Sequence, residues 1–140
     1  MSDPEALLKI YRRKLLKAFT HLEYSYNKVL KLSENPALLD EESMETWEGF
    51  AARFSRVVDL ALTKFLRAFV LVNDPGFTGS LRDFVDQGEK LGFIDDSDAW
   101  MEIRGLRNIT AHDYTEEELE QFFKNLKSAT PRVFSLKVKL

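Results

Sequence analysis

The eleven residues from Arg104 to Tyr114 (RGLRNITAHDY) contain the side chains best suited to chemistry in this chain. They combine two arginines, an asparagine, a histidine, an aspartate and a tyrosine. A neutral imidazole can accept a proton from a hydroxyl, and its cation can return one to a leaving oxygen. Arginine supplies a permanent planar charge that stabilises negative charge on phosphorus. These residue types could cleave a phosphodiester bond in RNA without a metal ion.

The same residues also fit an ordinary polar helix end. The helix dipole favours a histidine in the last turn of a helix, and arginines on a helix surface are normally solvated. The chain has no glycine-rich phosphate loop, no His-Glu-x-x-His motif and no cysteine. Two histidines supply only part of a metal site, so neither a metal nor another cofactor is predicted.

Length and composition predict one globular domain covering residues 1–140. A net charge of −3 makes a large nonspecific phosphate-binding surface unfavourable, so any contact with nucleic acid should be local. The N-terminus has no secretory signal pattern. The most apolar run, 60–72, is short and interrupted by Lys64 and Arg67, which excludes a membrane span there. A cytoplasmic location without membrane contact is predicted.

Apolar residues recur every three or four positions in two long segments. The first segment starts at Asp3-Pro4-Glu5, a helix-start pattern, and runs to about Leu32. A loop with at most one short turn follows. The second helix is predicted to begin near Glu45 and to continue to Asn73-Asp-Pro-Gly76. Its wide aromatic stripe, from Trp47 to Phe69, predicts the most buried element.

Three shorter helices are predicted in the second half. The first runs from Leu81 to a glycine cap at Leu91-Gly92, and the next from Asp98 to about Ala111. Thr115-Glu-Glu-Glu118 is a capping box that opens the last helix, which Pro131 should end. The tail 133–140 alternates apolar and polar residues, so it could pair as a strand, but a partly ordered end is favoured. Together the elements predict an all-α, antiparallel up-and-down bundle with two long helices and about three shorter ones.

Helix geometry decides which members of the cluster can meet. At about 100° per residue, Arg104, Asn108 and His112 form one row, while Ile103 and Leu106 belong to the opposite, apolar face. Arg107 lies one ridge away from this row. A single chain therefore does not bring Arg107 directly onto His112, and His21, on the first helix, has no visible partner for chemistry.

The pattern Arg107-Asn108-x-x-x-His112-x-Tyr114 resembles the Arg-x4-His-x-Tyr motif of HEPN domains. Gly92-Phe-Ile-Asp-Asp, Trp100 and Thr115-Glu-Glu-Glu extend the similarity to the branch described as nucleotidyltransferase substrate-binding proteins. The aromatic second helix also matches that branch. The resemblance covers most of the chain from about residue 45 onward.

The resemblance implies a homodimer in which the motif helices of two subunits form one composite cleft. It also implies a minimal nucleotidyltransferase as partner, encoded nearby. By position, Arg107 and His112 would be catalytic in a metal-independent ribonuclease, with Asn108 and Arg104 binding or orienting the substrate. Tyr114 would be the hydroxyl that the partner modifies with AMP. The added negative charge would block RNA entry, as in a toxin–antitoxin pair.

Three hypotheses follow from these patterns. The first is a ribonuclease subunit of a HEPN and nucleotidyltransferase toxin–antitoxin pair. The second is a non-catalytic subunit that binds a nucleotide or another substrate for a nucleotidyltransferase. The third is a plain helical dimerisation module in which the motif has no chemical role.

Overall fold

Helices form all the regular structure in the computed structural model, which describes residues 3–106 and 113–140. The α-helices are α1 (Pro4–Val29), α2 (Glu41–Asp59), α3 (Leu66–Asn73), α4 (Leu81–Lys90), α5 (Ser97–Leu106) and α6 (Glu116–Ser135). A π-helical segment, Leu60–Phe65, joins α2 to α3 without a break, so these two form one long rod. The predicted all-α bundle of two long and three shorter helices is confirmed.

Helix α1 begins as the sequence predicts. The Asp3 carboxylate accepts a hydrogen bond from the Glu5 amide at 3.2 Å, and proline occupies the first helical position. The core-facing residues of α1 include Leu15, Phe19 and Leu22, each at 0% exposure. The α-helix ends at Val29, three residues before the predicted end. Backbone hydrogen bonds of the turn type continue to Leu32.

Helix α2 begins at Glu41, four residues before the predicted start at Glu45. The reason is an N-cap that the apolar pattern does not reveal: the Asp40 carboxylate accepts a hydrogen bond from the Ser43 amide at 2.8 Å. The loop before it contains one 3-10 turn, Pro36–Leu38, which agrees with the prediction.

The aromatic stripe of α2 forms the centre of the core, as predicted. Trp47, Phe50 and Phe54 are completely buried. The Trp47 ring stacks on Phe123 of α6, with centroids 4.4 Å apart and planes 12° apart. The Trp47 indole nitrogen donates to the Ser33 carbonyl at 3.0 Å, so its one polar atom is satisfied inside the core.

Helix α4 packs on the Leu66 side chain of α3 at Gly88. A Cβ at Gly88 would lie 2.5 Å from Leu66 Cδ1 and 3.1 Å from Ile94 Cγ1. A side chain at position 88 would require Leu66 to change rotamer or the two helices to move apart. The helix ends at Lys90, and Gly92 adopts a positive φ of 85°, which confirms the predicted glycine stop.

Pro131 does not end the last helix, and that prediction is wrong. Helix α6 starts with the predicted Thr115 capping box and continues through Pro131 to Ser135. A 3-10 turn, Leu136–Lys139, follows directly. The prediction of a partly ordered tail over 133–140 is therefore also wrong.

Burial of the residues beyond Pro131 explains why the helix continues. Val133 and Leu136 are 0% and 1% exposed, and such side chains contribute about 1.5–3 kcal/mol each. Phe134 adds ring contacts to Phe19 and Tyr26 of α1, at centroid distances of 5.9 and 5.6 Å. These gains exceed the cost of about 3 kcal/mol for a proline inside a helix.

Candidate binding site at the end of helix α5

The predicted site lies partly outside the described residues. Arg107, Asn108 and His112 belong to the segment 107–112, so their roles stay predictions, as does the helical extension to Ala111. The structure describes the two flanking members of the cluster. Arg104 lies on the last turn of α5, and Tyr114 lies just before α6.

Two neighbouring aspartates fix the start of α5. The Asp96 carboxylate accepts a hydrogen bond from the Ala99 amide at 3.1 Å and caps the helix. The Asp95 carboxylate accepts bonds from the Trp100 indole nitrogen at 2.8 Å and from Arg132 of α6 at 2.6 Å. Helix α5 therefore begins at Ser97, one residue before the predicted Asp98, and Asp95 links its start to α6.

Arg104 has a donor that the described residues do not satisfy. Ile103 is 5% exposed, which confirms the apolar face of α5, and Arg104 follows it on the helix as a partly buried residue. The Arg104 Nε is shielded from solvent and has no hydrogen-bond partner among the described residues. A buried unpaired donor costs about 1–3 kcal/mol, and more on a charged group. An acceptor from a bound molecule or a second subunit would remove this cost.

Tyr114 is held by stacking. Its ring lies parallel to that of Phe122, with centroids 5.9 Å apart and planes 2° apart, and it packs partly buried against the core. Partial burial raises the pKa of the Tyr114 hydroxyl above its usual value of about 10, and the negative charges of Glu118 and Asp113 raise it further. The hydroxyl therefore stays protonated at neutral pH and can donate a hydrogen bond.

A groove of about 560 Å³ lies between α5 and α6. The α5 wall is apolar except for Glu102, and the α6 wall is mixed; the lining comprises Ala99, Glu102, Ile103, Leu106, Asn125, Ser128, Ala129 and Arg132. Neither Arg104 nor Tyr114 belongs to its lining. The structure thus separates the polar row of α5 from a second concave surface on its apolar side.

The sequence prediction missed the contribution of α6 to this groove. Asn125, Ser128 and Arg132 recur at helical spacing, which was a signal that they share one face. The signal was weak, because such a row is typical of any exposed helix surface. Only the packing of α5 beside α6 turns the row into a wall of the groove.

Metal binding and membrane insertion can be examined only over residues 3–106 and 113–140. There, no group of three His, Cys, Asp or Glu side chains is placed to hold a metal ion. No helix in the same residues is long and apolar enough to span a bilayer.

A comparison with known protein families shows which family the chain belongs to. A family model described as nucleotidyltransferase substrate binding protein like matches residues 13–139. The chain belongs to this family. The resemblance to the HEPN-like branch is thereby confirmed, and it extends into α1, where the sequence showed only a shared length and amphipathic character. No curated protein matches the chain significantly.

Proposed function

We propose that this protein is the substrate-binding subunit of a nucleotidyltransferase complex, and that it holds a phosphate-bearing substrate at the end of α5. The family match over residues 13–139 is the observation that supports this role, because it includes both helices that flank the candidate site. The complementary subunit would be a minimal nucleotidyltransferase.

The described side chains have chemistry that suits this role. Arg104 offers a permanent charge and a shielded Nε–H without a partner among the residues that the structure describes, and phosphate oxygens are strong acceptors for such a group. The protonated Tyr114 hydroxyl offers a second donor. Arg107, Asn108 and His112 would complete the site, as the sequence predicts.

Co-purification with the partner tests the complex. The protein should elute together with a minimal nucleotidyltransferase encoded beside it, and calorimetry should detect ATP binding to the complex. Arg104→Ala and Arg107→Ala should each weaken ATP binding by about tenfold, the effect of losing one charged hydrogen bond. Lys124→Ala, on the exposed face of α6, is the matched control. If neither complex formation nor ATP binding is observed, the proposed role is wrong.

Metal-independent RNA cleavage is the second candidate. The spacing Arg107-x4-His112 and the Arg104 Nε, which is unpaired within residues 3–106 and 113–140, favour it, because together they would supply a proton-transfer group and positive charge. Purified protein incubated with tRNA and a chelator should then cleave the tRNA, and His112→Ala should lose this activity. Lys124→Ala should retain it. Equal cleavage by His112→Ala and the parent protein would exclude this mechanism.

The homodimer and the toxin–antitoxin role belong to the same proposal. A shared cleft would let Arg107 of one subunit act with His112 of the other, which one helix does not allow. Sedimentation equilibrium should show a dimer. AMP transfer to Tyr114 by the partner should appear in mass spectrometry of the co-expressed complex and be absent in Tyr114→Phe.

A further inference from the structure

A seam between α1 and the α2–α3 rod contains two grooves in line. The first, of about 280 Å³, is lined by Lys14, Lys17, Ala18, His21, Arg56 and Leu60. The second, of about 220 Å³, is lined by Pro4, Leu7, Tyr11, Thr63, Lys64, Arg67, Ala68 and Leu71. The two elements run antiparallel along it. We call this surface the α1 seam.

The two grooves form one path because they use the same side of α1. At about 100° per residue, the lining residues from Leu7 to His21 fall within an arc of about 120°. The path from Pro4 to His21 is about 25 Å long at 1.5 Å per residue. On the other wall, the π-helical segment Leu60–Phe65 contributes to both grooves. Such segments frequently occur at functional sites.

The α1 seam is uniformly cationic although the protein carries a net charge of −3. Among the described residues, its lining contains no acidic side chain and five lysines and arginines: Lys14, Lys17, Arg56, Lys64 and Arg67. All five are exposed. Arg67 lies over the Phe84 ring, 4.5 Å from its centroid. None of the five forms an ion pair with a described residue.

An aromatic side chain and an apolar floor accompany the charges. Tyr11 lines the second groove together with Leu7, Ala68 and Leu71, and its ring is partly exposed. A positively charged groove with an aromatic platform is the combination that binds single-stranded nucleic acid, because the cations follow the phosphates and a base stacks on the ring.

We propose that the α1 seam binds single-stranded nucleic acid, with the phosphodiester backbone along its cations and one base against Tyr11. A path of about 25 Å suits about four nucleotides, the lower end of known site sizes. The proposal does not rest on the role assigned to the end of α5. The seam residues lie on α1 and the α2–α3 rod, not on α5. Either proposal can therefore be wrong while the other is correct.

Fluorescence anisotropy with a labelled single-stranded RNA of about 12 nucleotides tests the seam directly. Affinity should fall with salt, with a slope of log K against log salt near −3 for about four neutralised phosphates. The triple variant Lys14→Gln, Lys17→Gln, Arg56→Gln should bind at least about tenfold more weakly at low salt and reduce that slope by about 2. Single-stranded DNA should compete, because the contacts are to phosphates and a base face.

A variant with the same net charge separates a local site from general attraction. Lys90→Gln, Lys124→Gln, Lys137→Gln removes three exposed cations from other surfaces and should bind RNA like the parent protein. Tyr11→Leu should weaken binding without changing the salt slope. Circular dichroism confirms that each variant is folded.

Several outcomes would overturn the proposal. These are no RNA binding by the parent protein, equal losses in the two triple variants, failure of DNA to compete, or binding to anionic vesicles without binding to RNA. Retention of ATP binding by the seam variant would show that the site at α5 is separate.

Discussion

The cations of α4–α6 and those of the α1 seam have opposite surroundings. In the second half of the chain, several arginines and lysines face carboxylates, in the pairs Arg82–Asp86, Arg82–Asp98, Lys124–Glu120 and Arg132–Asp95, whereas the Arg104 Nε has no hydrogen-bond partner among the described residues. Along the seam, five cations line two grooves without a carboxylate in the lining. The two surfaces therefore differ in how their cations are neutralised, although the net charge of the protein is only −3.

The paired cations and the seam cations therefore have different roles. Arg132–Asp95 and Arg82–Asp98 connect different helices, so those charges help to fix α4, α5 and α6 relative to one another. Among the described residues the seam cations form no ion pair, although Arg67 lies over the Phe84 ring of α4, so their field is directed at solvent and at ligands. Substitutions in the first group should change stability, and those in the second should change binding.

Asp95→Ala should have the largest effect on stability. It removes the acceptor of both the Trp100 indole and the Arg132 guanidinium, at 2.8 and 2.6 Å, and Trp100 is completely buried. We expect the free energy of unfolding to fall by about 2–3 kcal/mol, measured by urea denaturation. Asp98→Ala, which removes an exposed pair, is the control and should cost less than about 1 kcal/mol. Equal losses would show that Asp95 is not a structural link.

Gly88→Ala should have the next largest effect. Its new methyl group would lie 2.5 Å from Leu66 Cδ1, and Leu66 is completely buried, so α3 and α4 must move apart or Leu66 must change rotamer. We expect a loss of about 1–2 kcal/mol in the same urea experiment. Gly49→Ala, which meets no atom within 4 Å, should not destabilise α2. A neutral Gly88→Ala would contradict this packing.

Tyr114 should give a smaller, pH-dependent effect. Because burial and nearby carboxylates raise its pKa in the folded state, its contribution to stability is complete below about pH 10. The contribution is lost as the pH rises through the higher folded-state pKa. Ultraviolet titration of the phenolate, compared with Tyr114→Phe, should show the missing component above pH 10. A component at or below pH 10 would contradict this environment.

Arg56→Gln should have the smallest effect on stability. It is exposed and lines the seam without an ion pair to a described residue, so we expect a change within about 0.5 kcal/mol. Arg132→Gln provides the contrast, because it loses the bond to Asp95 and should be clearly destabilised. Similar losses in these two variants would remove the distinction between the two surfaces.

The sequence predicted the helices well where the signal was local. Thr115 and Glu118 form their capping box within three residues, and Gly92 ends α4 through its own backbone conformation. It failed at Glu45 and Pro131, where another contact changed the outcome. The Asp40 N-cap makes α2 start earlier in the chain than predicted. The burial of Leu136 stabilises helical structure beyond Pro131.

The sequence likewise predicted one part of the candidate surfaces and not the other. The motif identified the end of α5 and, through the HEPN resemblance, the confirmed family. The spacing of Lys14 and Lys17 on one helix was also visible in the sequence. Their alignment with Arg56 and Lys64 was not, because it depends on how α1 lies against the α2–α3 rod.

By itself, therefore, the sequence determined the helical class, most helix starts and the family, since these follow from interactions within a few residues and from a short motif. The tertiary structure decided which charges are paired. Asp95 and Arg132 are 37 residues apart and meet only because α5 packs on α6. The packing of α1 on the α2–α3 rod, in turn, brings no carboxylate among the described residues into the lining of the α1 seam. Long-range Coulomb interactions depend on distances that only the folded chain defines.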